Sequence, residues 1–135
     1  MEPLLLQGDT VCTPGGPMAP GWVLVEGGLI RDVGAGPAPR THARRLSLAG
    51  ATIAPGLIDL HLHGALGRDA MDATVESLAE VARFCARHGV TGYLPTIMAA
   101  PTDAIVAALR AAERAMAVDT GGARILGAHL ESPYL

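Results

Sequence analysis

Three apolar runs in the second half of the chain, at residues 57–62, 89–98 and 124–130, alternate with Ala-rich segments, and this alternation constrains the fold more than any other feature. Between the first two runs, Val75, Leu78, Ala82 and Cys85 recur at the spacing of an amphipathic helix, with Asp72 or Thr74 as the start signal and Gly89 as the stop. Ile105, Leu109, Ala112 and Met116 do the same after Pro101-Thr102-Asp103. Apolar strands flanked by such helices suit a parallel sheet covered on both faces, joined by right-handed crossovers. The runs begin 32 and 35 residues apart, near the ~31 per unit of an eight-unit barrel of ~250 residues. The expected class is therefore α/β. Two architectures fit: a partial (β/α)8 TIM-type barrel holding the first three strands and two helices, or a small open three-stranded sheet. Periodicity alone leaves both open.

Residues 1–54 read differently. Short runs at residues 4–6 and 22–26 are cut by Gly and Pro, Gly27-Gly28 precedes a further run at 29–33 as in a β-hairpin, and another run spans 46–53. This predicts an antiparallel β layer over 1–54, followed by an α/β portion over 55–135. Of the 135 residues, 50% are hydrophobic and 17% charged, with net charge −3, which excludes a disordered chain. All ten basic residues are Arg and they form no cluster larger than Arg44-Arg45, so no nucleic-acid partner is expected. No run approaches the ~20 apolar residues of a membrane span, and Glu2 stands where a signal peptide would carry positive charge. A soluble, cytoplasmic protein without a membrane partner is expected. Cys12 and Cys85 are far apart and outside any Cys-x-x-Cys pair, so both are read as small buried hydrophobes or inert thiols, without a disulfide or thiolate metal site.

The sharpest chemical feature is Asp59-Leu60-His61-Leu62-His63-Gly64 at the end of the first run. On a strand, residues two apart share a face, so Asp59, His61 and His63 are expected on one side and Leu60 and Leu62 on the other. Two imidazoles at a strand end form a pair able to chelate a divalent ion such as zinc. Glu131 ends the third run, where open sheets and barrels alike place their ligands, and it could complete a site begun by His61 and His63. His129 shares the face of Glu131 one layer deeper and reads as a core histidine, with Asp59 as a supporting group. His88 suits the C-terminal end of the first helix, and Asp69 and Asp72 read as caps. Thr96 is a candidate for the rim, while His42 reads as solvated.

The run PGLIDLHLHGALGRDAMDAT, the segment HGVTGYLPTIMAAP and the terminal ILGAHLESPYL resemble, in order and spacing, the N-terminal part of the N-acetylglucosamine-6-phosphate deacetylase family of the amidohydrolase superfamily. GWVLVEGGLIRDVG is similar to the small β-sandwich segment that precedes the barrel there. The resemblance implies a truncated barrel over 55–135 and metal-dependent hydrolysis of the acetamide of a sugar phosphate. It implies Glu131 as a metal ligand, with His61 and His63 matching a second-metal pair found in some members. Zinc leads among the metals implied, with iron and others also accepting such ligands. The proton-shuttling Asp and two further histidines are implied on strands beyond residue 135, so no catalytic acid or base is assigned within the chain. The chain alone should therefore be inactive, and the full-length protein a homodimer. Ser132 stands where the family carries Gly, and Ala65-Leu66 where it is richer in Gly. The alternatives are another amidohydrolase, such as a dihydroorotase-like cyclic-amide hydrolase, and a non-catalytic truncated remnant.

Overall fold

The computed structural model describes residues 2–131 and divides the chain into two compact units, residues 1–55 and 56–135. In the first unit, β1 (Leu4–Thr13) lies between β3 (Gly21–Glu26), antiparallel to it, and β5 (Arg44–Ile53). β2 (Gly16–Met18) folds back on the end of β1, and β4 (Leu29–Ala35) pairs with the outer side of β3. The β3–β4 turn works because Gly27 and Gly28 both take positive φ, 59° and 79°, as a two-residue turn matching strand twist requires. Leu5, Trp22 and Ala43 form the core of this unit.

The expected antiparallel layer needs one correction: β5 runs parallel to β1. Local turn signals specify the neighbours joined by hairpins. They say nothing about β5, which reaches the free side of β1 through the irregular segment 36–43. Cys12 is a free, exposed thiol near the end of β1, whereas Cys85 is buried. Burial raises the pKa of the Cys85 thiol, and the Asp59 carboxylate adds to the shift.

The second unit is a parallel α/β arrangement centred on β9 (Val90–Ile97). β6 (Leu57–Leu62) pairs along one side of it; β10 (Arg124–Ile125) and β11 (His129–Leu130) pair in succession along the other. The third apolar run thus forms two short strands, joined through a hydrogen bond from the Leu126 N–H to the Tyr93 carbonyl. Helix α1 (Val75–Arg87) starts at Thr74, whose hydroxyl accepts from the Ser77 N–H, and ends at His88. Its Leu78, Val81, Ala82 and Cys85 are buried, as the 3.6-residue period demands. α2 (Thr102–Met116) buries only alanines: Ala108, Ala111, Ala112 and Ala115. Small side chains allow close packing of backbones, which gives a core with few large groups. Tyr93 is the largest fully buried one, and its hydroxyl donates to the Leu78 carbonyl at 2.8 Å, tying β9 to α1. Burial pushes the Tyr93 phenol well above its usual range.

Between β6 and α1 lies a hairpin with no counterpart in the predicted elements. β7 (Gly64–Ala65) and β8 (Arg68–Asp69) pair around Leu66-Gly67, and a 3-10 turn at Ala70–Asp72 follows. Asp69 and Asp72 form a capping box on that turn, so their reading as caps is correct. Leu66 takes φ 56°, a left-handed conformation that costs an L-residue about 1–2 kcal/mol, and its side chain is exposed. Leu66→Gly should therefore raise stability by up to about 1 kcal/mol after the entropy of the more flexible unfolded chain is counted. Thermal melting of the two proteins checks this, and an equal or lower midpoint for the variant would contradict it.

Candidate metal centre

The site forms where β6 and β11 end on opposite sides of β9. β6 carries His61 and leads into His63, and the Glu131 N–H extends the β11 ladder by donating to the Ile97 carbonyl at 3.0 Å. These two routes bring three donor atoms together. His61 Nε2 and His63 Nε2 are 3.2 Å apart, and Glu131 Oε2 lies 3.3 Å from His63 Nε2 and 3.7 Å from His61 Nε2. The three sequence candidates are thus the members of one group able to hold an ion.

The chemistry of this donor set is informative. Two imidazole nitrogens and a carboxylate oxygen directed at one another oppose their lone pairs unless a proton or cation intervenes. Donors at about 2.0–2.1 Å from a tetrahedral zinc ion lie about 3.3 Å from each other, and the observed separations straddle that value. Nitrogen and carboxylate donors in this number also match the three protein ligands common in catalytic zinc sites. The residues fit a divalent ion of that kind.

Local sequence explains the arrangement only partly. Strict alternation fails along β6, because its register against β9 shifts between Asp59 and Leu62. Asp59 sits opposite Tyr93, and its carboxylate folds back to accept from the His61 N–H at 3.0 Å. Asp59 therefore supports the strand at the bulge, and the expected common face of Asp59, His61 and His63 does not extend through it. Leu62 packs on the core, whereas Leu57, Ile58 and Leu60 are exposed, so β6 is not covered on both faces as the continuous apolar run implied. A hollow of about 470 Å³ along β6 is lined by these three residues with Asp59, His61 and Val90.

Thr96 is fully buried, not a rim residue, and pairs in register with His129. His88 caps the end of α1 with its ring 4.4 Å from that of Phe84, and takes no part in the site. His42 is exposed, in an irregular segment of the first unit. Ser132 lies outside the described residues.

The hairpin after His63 is the part of the site surroundings that sequence reasoning missed; Gly64 and Gly67, three apart, were its available signal. The His63 carbonyl accepts from the Ala70 N–H, and the Arg68 guanidinium clasps both carboxylate oxygens of Glu80 in α1, at 2.8 and 3.2 Å. The hydrogen bond from Arg68 holds the Glu80 carboxyl below the usual carboxylate range, and the Asp69 N–H does the same for Asp72. Groups depressed in the folded state stabilise it above their unfolded pKa values, about 4.3 for Glu and 3.9 for Asp, and the contribution is lost as pH falls through the folded values. Both groups are exposed, so the effect is modest and screened by salt. The melting temperature should stay level from pH 7 to about 5 and fall below about 4. Glu80→Gln should melt lower than wild type at pH 7 and lose less on acidification; equal acid sensitivity of the two would contradict the assignment.

In fold, the chain is similar to a solved amidohydrolase, which superposes over 96% of it with TM-score 0.56 at 22% identity. A far closer correspondence is to N-acetylglucosamine-6-phosphate deacetylases, of which the chain matches the N-terminal portion. The structure of a mutant Mycobacterium smegmatis N-acetyl-D-glucosamine-6-phosphate deacetylase in complex with N-acetyl-D-glucosamine-6-phosphate superposes on 100% of the chain, and on 34% of that protein, with TM-score 0.89 and 32% identity. The Vibrio furnissii N-acetylglucosamine-6-phosphate deacetylase is 44% identical over 93 residues, 69% of this chain and 23% of that enzyme. An Escherichia coli O157:H7 N-acetylgalactosamine-6-phosphate deacetylase is 40% identical over 82 residues, 61% of this chain and 22% of that one. The chain thus spans about a quarter to a third of these relatives. No protein-family model matches it. Among the described residues, no helix is long and apolar enough to cross a membrane.

Proposed function

We propose that this chain is the metal-holding N-terminal portion of a deacetylase that hydrolyses N-acetylglucosamine 6-phosphate to glucosamine 6-phosphate and acetate. The observation that carries the proposal is the convergence of His61 Nε2, His63 Nε2 and Glu131 Oε2 at tetrahedral-edge spacing, in a chain matching deacetylases over this portion. His61, His63 and Glu131 are its metal ligands, and zinc is the favoured ion because two imidazoles and one carboxylate suit it. A bound divalent ion supplies Lewis acidity, polarising the acetamide carbonyl and lowering the pKa of water.

The chain's own residues position and balance that charge. Glu131 contributes the negative donor, and the two imidazoles fix the site on the β6 side of β9. Asp59 secures the His61 backbone at the bulge. In this reading residues 1–54 are part of a small β-sandwich, and 55–135 are the first β/α units of a barrel, with β6, β9 and the β10–β11 pair as its first three strands. The proton-shuttling Asp belongs to a later strand, as the resemblance implies. The resemblance also supports cytoplasmic amino-sugar catabolism and a homodimer at full length.

Acetate release from N-acetylglucosamine 6-phosphate and N-acetylgalactosamine 6-phosphate, measured beside ring opening of dihydroorotate, tests the reading, using protein expressed from the complete gene. The glucosamine substrate should give the highest kcat/KM, and chelation should abolish turnover. Preference for the galactosamine epimer would transfer the assignment to the activity named for the Escherichia coli relative. Turnover of dihydroorotate alone would overturn it.

A further inference from the structure

The three converging donors leave one question open: what holds the His61 ring in place, when about half of its side chain is exposed. Two strands each deliver a pair of residues two positions apart, His61 and His63 from the β6 side, His129 and Glu131 from the β11 side. His129 is not among the converging donors. Its ring instead packs on His61, with centroids 4.6 Å apart and planes tilted by 40°, closer than the 5.1 Å between His61 and His63. The backbone of His129 is fixed by pairing with β9, opposite the fully buried Thr96, so this ring stands on the anchored part of the sheet.

From this geometry we infer that His129 is a positioning residue for the metal centre: its ring holds the His61 imidazole with Nε2 directed at Glu131 and His63. The inference rests on the reading of those three residues as ligands. Aromatic rings at this separation attract one another, and a ring held before the ion arrives loses less rotamer freedom on binding. The contact is one of packing, so a ring without nitrogen should serve.

The test titrates Zn²⁺ alone into metal-free protein expressed from the complete gene and into its His129→Ala and His129→Phe variants, reading affinity by competition with a chromophoric chelator. Co²⁺ substitution then reports coordination through its visible d–d bands. His129→Ala should weaken zinc binding roughly tenfold, as loss of a ligand-orienting partner does, and should alter the Co²⁺ bands. His129→Phe should bind close to wild type and keep the bands. Wild-type affinity and spectrum in His129→Ala would overturn the inference, and so would His129→Phe as weak as His129→Ala. No zinc binding by the complete wild-type protein would overturn the ligand reading itself, and the inference with it, a result distinct from either variant outcome.

Discussion

Glu131→Gln, or His61→Ala combined with His63→Ala, is expected to reduce zinc affinity by more than about 100-fold, beyond the 10–100-fold that loss of an outer partner of a ligand costs. Gln keeps the shape of Glu but removes the charge. That charge is the only one among the three donors able to offset a divalent cation when the imidazoles are neutral. The effect should also appear as stability. Zinc free at 100 times its dissociation constant stabilises a folded state that alone binds it by about 2.7 kcal/mol. A chelator should accordingly lower the melting temperature of the wild type and leave both variants unchanged. Without metal, the variants should melt within about 0.5 kcal/mol of wild type, because all three side chains are partly exposed and none belongs to the core. Isothermal titration together with melts in chelator checks both halves. Zinc binding retained in Glu131→Gln would remove that residue from the centre.

Gly64→Ala has the second large effect, and it acts through the backbone. A Cβ at position 64 would land on the Arg68 carbonyl oxygen, with the Asp69 Cα also within contact. These are main-chain atoms of the facing strand, so no side chain can swing aside. The hairpin must open, and with it the pairs Gly64–Asp69 and Ala65–Arg68. Overpacking of this sort costs about 1–3 kcal/mol, and here the upper part of that range is expected because the hairpin is pinned at both ends. The pins are the Ala70 N–H bonded to the His63 carbonyl and the Arg68–Glu80 pair. Displacement of the His63 carbonyl should weaken zinc binding as well. Denaturant unfolding with and without zinc measures both consequences. Unchanged stability in Gly64→Ala would show that the hairpin gives way without cost.

How much of this was legible in the sequence follows from which forces are local. α1 was readable because its buried face repeats at 3.6 residues and Thr74 supplies a cap. The β3–β4 hairpin was readable because two adjacent glycines permit both positive φ angles its turn needs. His61, His63 and Glu131 could be chosen from strand ends alone, since every parallel strand of one sheet delivers its C-terminal end to the same side. Non-local pairing was not readable. Nothing near residues 44–53 states that they run parallel to β1, and nothing near Asp59 states that a register shift turns it back on the His61 backbone. The contact of His129 with His61 joins residues 68 positions apart and depends on both strands flanking β9. The hairpin at 64–69 was hidden for another reason. Its turn holds a leucine in a conformation that leucine disfavours, so propensity argued against the turn that exists.

In the proposed centre, two histidines from one side of β9 and one glutamate from the other hold a single ion. X-ray absorption at the zinc edge, on the 135-residue chain loaded with one equivalent of zinc, tests it most directly. The prediction is a first shell of nitrogen and oxygen at about 2.0–2.2 Å with the outer scattering of two imidazoles, falling to that of one imidazole in His63→Ala. Sulfur scattering at about 2.3 Å, or a shell without imidazole, would contradict the claim.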